Sequence, residues 1–292
     1  MSPAHLTKFK KFKETVWKYY RTQGRHDLPW RKTRDPYKIL VSEIMLQQTQ
    51  VSRVLVKYPE FLRAFPTVEK LASAPTHKLL SVWQGLGYNR RALALKRAAE
   101  IVAHEHAGKF PKDFNTLVSL PGIGPATAAD MLAFAWNISQ PLIETNIRTV
   151  YIHHFFAEKS GARKKSLVKA VEKIHDRDIL PLVEKTFDAA RPREWIWALM
   201  DYGAMLKREH GNKTGQRSKQ YAKQSKFVGS NRELRSAMVK IILEKPIGAP
   251  TLFKKLRAVR KNISTEEFNK NLADLEREGF IVRAKGILKI AG

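Results

Sequence analysis

The chain has 292 residues, 43% of them hydrophobic, which is enough to bury a sizeable core and excludes a disordered tail. Its 54 Lys and Arg against 27 Asp and Glu leave a formal charge of +27, a field that a polyanion would neutralise. The basic residues spread along the whole chain instead of forming one juxtamembrane cluster, which weighs against an anionic membrane. There is no cysteine, so disulfides, thiolate metal sites and iron–sulfur clusters are excluded and no cofactor is expected.

No apolar run approaches the length of a membrane span, and Met1–Tyr20 lacks the features of a signal peptide. Instead Leu6, Phe9, Phe12, Val16 and Tyr19/Tyr20 recur at helical spacing and predict a first amphipathic helix over 7–23. Further helices are expected near 37–57, 59–65, 67–73, 77–83, 89–104, 114–119, 126–134 and 146–156, then near 164–174, 181–190, 192–206 and 218–226. Pro29, Pro59, Pro66, Pro75, Gly85, Gly87, Pro111 and the Pro121–Pro125 segment punctuate them. No strand-like alternation is convincing before residue 226. Lys207, Arg208, Lys213, Arg217, Lys219, Lys223 and Lys226 against Glu209 alone make 207–226 a basic linker or loop. Beyond it, helices are expected over 231–244, 250–259 and 264–278, the last opened by a capping box of Ser264 and Glu267. The end alternates about Lys285–Gly286 and reads as a β-hairpin. Three helices and a hairpin make 227–292 a winged-helix-like module; a generic small α+β domain is the alternative.

Three segments carry candidate chemistry. In Asp35–Val51, Glu43 falls between Ile39, Leu40 and Leu46, inside the apolar arc of its helix. A carboxylate there is costly to ionise, so its pKa should rise and it can donate a proton; a salt-bridged edge residue is the ordinary alternative. The amides of Gln47, Gln48 and Gln50 beside it suit base edges or the gap left by a flipped nucleotide, or are plain helix-surface polarity. In Leu120–Ala128, Gly122 and Gly124 permit a tight hairpin between two helices, whose free N–H groups at a positive helix end suit phosphate. In Leu142–Val150, Glu144 stands before a helix with Thr145 or Asn146 expected as N-cap. It either complements the helix dipole or faces a cationic sugar. The adjacent His153 and His154 diverge by about 100° on a helix and are read as structural, with no metal site expected.

Trp30 after Pro29, the string Ser42–Val51 (Ser-Glu-Ile-Met-Leu-Gln-Gln-Thr-Gln-Val), Phe65-Pro-Thr, Trp83-Gln-Gly-Leu-Gly-Tyr88, Gly108-Lys-Phe-Pro111, the hairpin and Met200-Asp-Tyr-Gly-Ala-Met205 together are informative. From Leu28 to about Leu206 the chain resembles the mismatch-adenine branch of the endonuclease III, or helix-hairpin-helix, superfamily of DNA glycosylases. The resemblance implies a mainly α, two-lobed fold over 1–206 with the active site in a cleft, followed by the basic segment 207–226 and the module 227–292. It implies a monofunctional glycosylase in base excision repair that takes adenine from mispairs with 8-oxoguanine or guanine. Glu43 would protonate the leaving base at N7, and Glu144, in place of the family's catalytic Asp, would stabilise or trap the sugar cation with Asn146 orienting it. Gln47, Gln48, Trp30, Arg31, Tyr88, Asn89, Arg90, Gly122, Gly124, Ala126, Thr127, Lys213 and Arg217 are the implied contacts to DNA or base. Members with lyase activity carry a Lys where this chain has Ala126, so no Schiff base is expected. The implied partner is double-stranded DNA with a mispaired or damaged base, bound by a monomer in the cytoplasm or nucleoid.

Four departures stand against the pattern. Glu144 is one methylene longer than Asp, and Asn89 stands where adenine glycosylases place a wedging tyrosine. The four iron–sulfur cysteines are absent, with the basic segment following in their place. The stretch after Phe227 is too short for the large β-rich domain that often reads 8-oxoguanine. Removal of thymine or uracil opposite guanine, or of a deaminated or alkylated purine, is the alternative within the enzyme class. A DNA-binding protein that has lost its chemistry is the alternative outside it, while a basic winged-helix regulator explains neither Glu43 nor the hairpin.

Overall fold

The structure, a computed structural model, describes residues 3–156, 173–223 and 226–292. Its helices run in order α1 (Pro3–Gln23), α2 (Pro36–Leu46), α3 (Val51–Ala64), α4 (Val68–Ala72), α5 (Thr76–Trp83), α6 (Arg90–Glu105), α7 (Phe114–Ser119) and α8 (Pro125–Trp136). Then come α9 (Thr145–Phe155), α10 (Asp176–Thr186), α11 (Pro192–His210) and the short α12 (Lys213–Gln216), with a 3-10 turn at Pro29–Arg31. The remainder is α13 (Asn231–Glu244), β1 (Ile247–Gly248), α14 (Ala249–Val259), α15 (Thr265–Arg277), β2 (Ile281–Ala284) and β3 (Ile287–Ile290). The fold is mainly α, and every named strand among the described residues lies in the C-terminal module.

The chain forms two compact units. One comprises Met1–Ile39, Lys112–Val118 and Ile123–Lys223, the other Leu40–Pro111, Ser119–Gly122 and Gln224–Gly292. In the first, α1 packs on α9 and α11 through Phe12, whose ring meets Tyr151 at 5.2 Å and Trp195 at 6.1 Å. Such aromatic pairs add to area burial. The last carbonyls of α8 are satisfied by the buried Arg193, which donates to Phe134 O at 2.7 Å and Ala135 O at 3.4 Å. In the second unit, Val54, Phe61, Leu71, Leu79, Trp83, Leu95 and Ala98 are buried between α3, α4, α5 and α6. The module 226–292 closes its own core around Leu234, Met238, Leu252, Phe268, Leu272 and Leu288, with antiparallel strands in the order β1-β3-β2. Lys285 and Gly286, at φ 50° and 75°, form the two-residue hairpin turn whose twist suits adjoining strands. Three helices and a three-stranded sheet match the winged-helix-like expectation, with β1 the strand that sequence pattern missed.

Several expected boundaries shift. The helix expected over 37–57 breaks at Gln47–Gln50, whereas Pro59, expected to separate two helices, lies inside α3. The helix expected from 181 begins at Asp176, because His175 and Asp178 form a capping box upstream of Pro181. Residues 218–223 are not helical: Ser218 pairs with Ile174 in an isolated parallel bridge, and Ile174 N–H donates to Arg217 O at 2.9 Å. The helix expected over 164–174 lies outside the described residues except for Lys173 and Ile174, which are not helical. Ser264 accepts from Glu267 N–H as expected, but the Glu267 carboxylate pairs with Arg260 at 3.0 Å. Lys207–His210 belong to α11, so the basic loop starts only at Gly211.

Candidate active site

Glu144 is itself the N-cap of α9, in place of the expected Thr145 or Asn146. Its Oε1 accepts from Asn146 N–H at 2.7 Å and Ile147 N–H at 2.8 Å, a pattern usually left to shorter side chains. The extra methylene is taken up by curling back onto the helix. Asn146 Nδ2 points at Glu144 Oε2 from 3.4 Å, and Asn146 Oδ1 accepts from Lys207 Nζ at 2.8 Å. Arg148, one turn on, is held by Asp176 at 2.6 and 2.8 Å.

α11 lies so close to this turn that a Cβ on Gly203 would sit 2.4 Å from Asn146 O and 2.8 Å from Asn146 Cβ. Gly203→Ala is therefore expected to cost about 1–3 kcal/mol, the usual price of overpacking, and to reduce any activity of the Glu144 site further than stability alone explains. Thermal unfolding and a single-turnover rate measured side by side would check this.

In the other unit, Glu43 lies on α2 among the buried Ile39, Leu40, Ile44 and Met45, and is itself half-buried. The helix ends one turn later. Its last carbonyls do not go to water: Arg91, from α6, donates to the carbonyls of Ile44 (2.8 Å), Met45 (2.9 Å) and Gln47 (2.6 Å). The same guanidinium reaches Thr49 Oγ1 at 3.0 Å, Leu86 O at 3.1 Å and Gly87 O at 3.0 Å. Burial pulls its pKa down to about 10. Sequence reasoning missed Arg91 altogether, since nothing local ties it to residues some forty positions upstream.

The two loops stapled by Arg91 each carry a non-glycine residue in the left-handed region, Gln48 at φ 54° and Tyr88 at φ 48°. Backbone held there costs energy and is often found at ligand sites. Both line a cavity of about 930 Å³ together with Asn89, Asn231, Arg232 and Arg235. Arg232, from α13, lies over the Tyr88 ring 5.1 Å from its centroid and donates to the phenol oxygen. Arg90, expected to meet DNA, pairs with Glu278 at 2.7 Å, which also takes Arg235 at 2.5 Å. The module 226–292 is thus fixed to the rim that bears Tyr88.

At the hairpin, Gly122 (φ 80°) is exposed, and a Cβ there would lie 2.9 Å from Ala94 Cβ. Gly124 is an exposed N-cap of α8 with Pro125 following, and no side chain caps that end. Ala126 is half-buried and Thr127 buried. Trp30 and Arg31, also expected to meet DNA or base, are engaged within the protein. Trp30 is buried, and Arg31 forms a fork to Asp201 at 2.7 and 2.9 Å beneath Trp197. Lys213 is exposed on α12, whereas Arg217 is half-buried.

Asp201 also accepts from Arg25 N–H at 2.8 Å and Arg25 Nε at 2.6 Å. Burial alone would raise its pKa; the hydrogen bonds and charge of Arg31, then those of Arg25, outweigh burial and hold it below the ordinary aspartate range. A depressed carboxylate contributes stability that is present above its unfolded value and lost as pH falls through its folded one. The denaturation midpoint should therefore drop in acid, below the ordinary aspartate value, and Asp201→Asn should flatten that limb of the profile.

The segment 207–223 does not fit the iron–sulfur cluster of the resembled family. It has no cysteine, Lys207 is spent on Asn146, and the backbone about Arg217 pairs with Ile174. Among the described residues no group of three His, Asp or Glu is placed to hold a metal ion, and no helix is long and apolar enough to cross a membrane.

A helical fold with a glycine hairpin between α7 and α8 and carboxylates on α2 and before α9 defines a class of DNA repair protein, and comparison agrees. The family described as HhH-GPD superfamily base excision DNA repair protein matches residues 41–176. An adenine DNA glycosylase of Buchnera aphidicola subsp. Baizongia pistaciae is 33% identical over 199 residues, 67% of this chain and 52% of that protein. The chain thus spans about half the length of this relative. A thymine/uracil-DNA glycosylase of Pyrobaculum aerophilum is 37% identical over 157 residues, 53% of this chain and 68% of that protein. The solved structure of a thermostable thymine-DNA glycosylase superposes with a TM-score of 0.59 at 27% identity, covering 69% of this chain and 88% of that one. The chain belongs to the HhH-GPD superfamily of base excision DNA repair proteins.

Proposed function

We propose that the chain is a monofunctional DNA N-glycosylase that binds duplex DNA as a monomer and excises adenine from mispairs with 8-oxoguanine or guanine. Glu43 protonates adenine N7, so that the C1′–N9 bond breaks with a neutral base leaving. Glu144 stabilises the oxocarbenium-like sugar, and water then adds to C1′. The observation that carries the reading is the Glu144 carboxylate, pinned by two backbone N–H groups with the Asn146 amide beside it. A negative charge so fixed needs no reorganisation as the sugar becomes cationic. No cofactor takes part. Ala126 at the start of α8 offers no amine, which supports hydrolysis without a Schiff base. Adenine is favoured by the relative that matches over the greater length of this chain.

The Pyrobaculum relative and the thymine-DNA glycosylase structure favour a second reading, removal of thymine or uracil opposite guanine. Incubation with duplexes carrying A:8-oxoG, A:G, T:G, U:G and hypoxanthine, followed by alkali to reveal abasic sites, separates the two. Cleavage confined to the A-containing pairs supports the first reading. Cleavage of T or U duplexes alone replaces it with the second. Binding without cleavage of any duplex leaves a DNA-binding protein.

A further inference from the structure

α11 grips Asn146 from two directions. The absent side chain of Gly203 lets the helix press on the Asn146 main chain, where a Cβ would come within 2.4 Å of its carbonyl oxygen. One turn further along the same helix, Lys207 Nζ meets the Asn146 side chain at 2.8 Å. An ammonium can only donate, so it dictates which end of the carboxamide faces it: Oδ1 must turn to Lys207, leaving Nδ2 for the carboxylate. Without that partner the amide is free to flip and present its oxygen to Glu144, where two acceptors would repel.

We propose that Lys207 is a positioning residue for base excision, locking the Asn146 amide so that its N–H side holds Glu144 in register with the sugar. The inference rests on the reading of Glu144 as the carboxylate beside the anomeric carbon. The amide also acts as a spacer. It passes polarisation from cation to carboxylate without a direct salt bridge, which would spend the negative charge that the sugar cation needs. Burial lowers the pKa of Lys207, Glu144 pulls it back up and Arg148 lowers it again. Arg148 is itself matched by Asp176, so Glu144 is the anion left for Lys207 to act upon. A basic residue in the last turn of α11 thereby takes a role in the site.

The test uses the full chain on an A:8-oxoG duplex and a T:G duplex, reading single-turnover excision and duplex affinity separately, with circular dichroism to establish folding. Lys207→Met is expected to slow excision about 10- to 100-fold, the scale of a small misplacement of a reacting group, while affinity changes less than about threefold. Lys207→Arg, which again offers only donors, should recover most of the rate. The Lys207→Met, Asn146→Ala double variant should be no slower than the slower single variant, because both act through one contact. Full-rate Lys207→Met, losses that multiply in the double variant, or no rescue by Arg would each overturn the proposal; if Lys207→Met fails to fold, Lys207→Gln, which can also accept, takes its place under the same criteria. Glu144→Gln in the same assay separates the two levels. Undiminished excision in that variant, or none by the parent chain on either duplex, overturns the reading of the site, and the role of Lys207 falls with it. An inactive Glu144→Gln beside a full-rate Lys207→Met removes Lys207 alone.

Discussion

Glu43→Gln is expected to lose about 10²- to 10⁴-fold in excision rate, the usual contribution of a positioned general acid, while duplex affinity stays within a few-fold. Glutamine keeps the size and hydrogen-bonding reach of the acid but has no proton to give at neutral pH. Departure of adenine without protonation leaves its charge on the base, so the loss falls on the chemical step and spares binding. The surroundings of Glu43 fit the role: it is half-buried, and buried apolar residues precede and follow it on α2. Alkaline cleavage of a labelled duplex gives the rate, and fluorescence anisotropy gives the affinity. Equal rates in parent and variant would take the proton-donor role from Glu43.

Much of this site was legible because helical periodicity and short strings of residue types are local signals. Glu43 stood out as an acid among Ile39, Leu40 and Leu46, and the pair of glycines at 122 and 124 marked a turn that α7 and α8 then flank. What was not legible depends on distant partners. Gln47–Gln50 has ordinary helix-forming residues, so the pattern was read through to residue 57. The break exists because Arg91 draws off the carbonyls that would have continued the helix. Pro59 was read as a boundary, yet α3 absorbs it; the carbonyl it leaves unpaired belongs to Leu55, on the exposed side of the helix. The resemblance implied a DNA contact for Arg31, and sequence alone does not distinguish such an arginine from one paired with an aspartate 170 positions away. The cap of α9 was missed because glutamate is a rare capping residue, favoured here by the same carboxylate that the chemistry asks for.

Arg91→Ala is expected to cost about 3–5 kcal/mol, more than any single hydrogen bond could account for. The reason lies in what the guanidinium leaves behind. Five carbonyls and the Thr49 hydroxyl converge on it, and those of Ile44 and Met45 belong to the last turn of α2, whose orphan acceptors no intrahelical donor can reach. Each buried acceptor stripped of its partner costs about 1–3 kcal/mol; partial entry of water and relaxation of the loops bring the sum to the figure given. The cation also opposes the negative end of the α2 dipole, and its planar face is stacked 5.5 Å from the ring centroids of both Trp83 and Tyr88. Arg91→Lys should recover little, because a point charge cannot fork to both loops at once. The fall should appear as a lowered denaturant midpoint with an unchanged slope, and hydrogen exchange should rise first in 44–50 and 84–89. Because Glu43 sits one turn before the end of α2, the folded fraction of Arg91→Ala should excise base more slowly than its population predicts. A variant as stable as the parent, or one with normal exchange in those loops, would show that water can replace Arg91, and the staple would then have no part in holding Glu43.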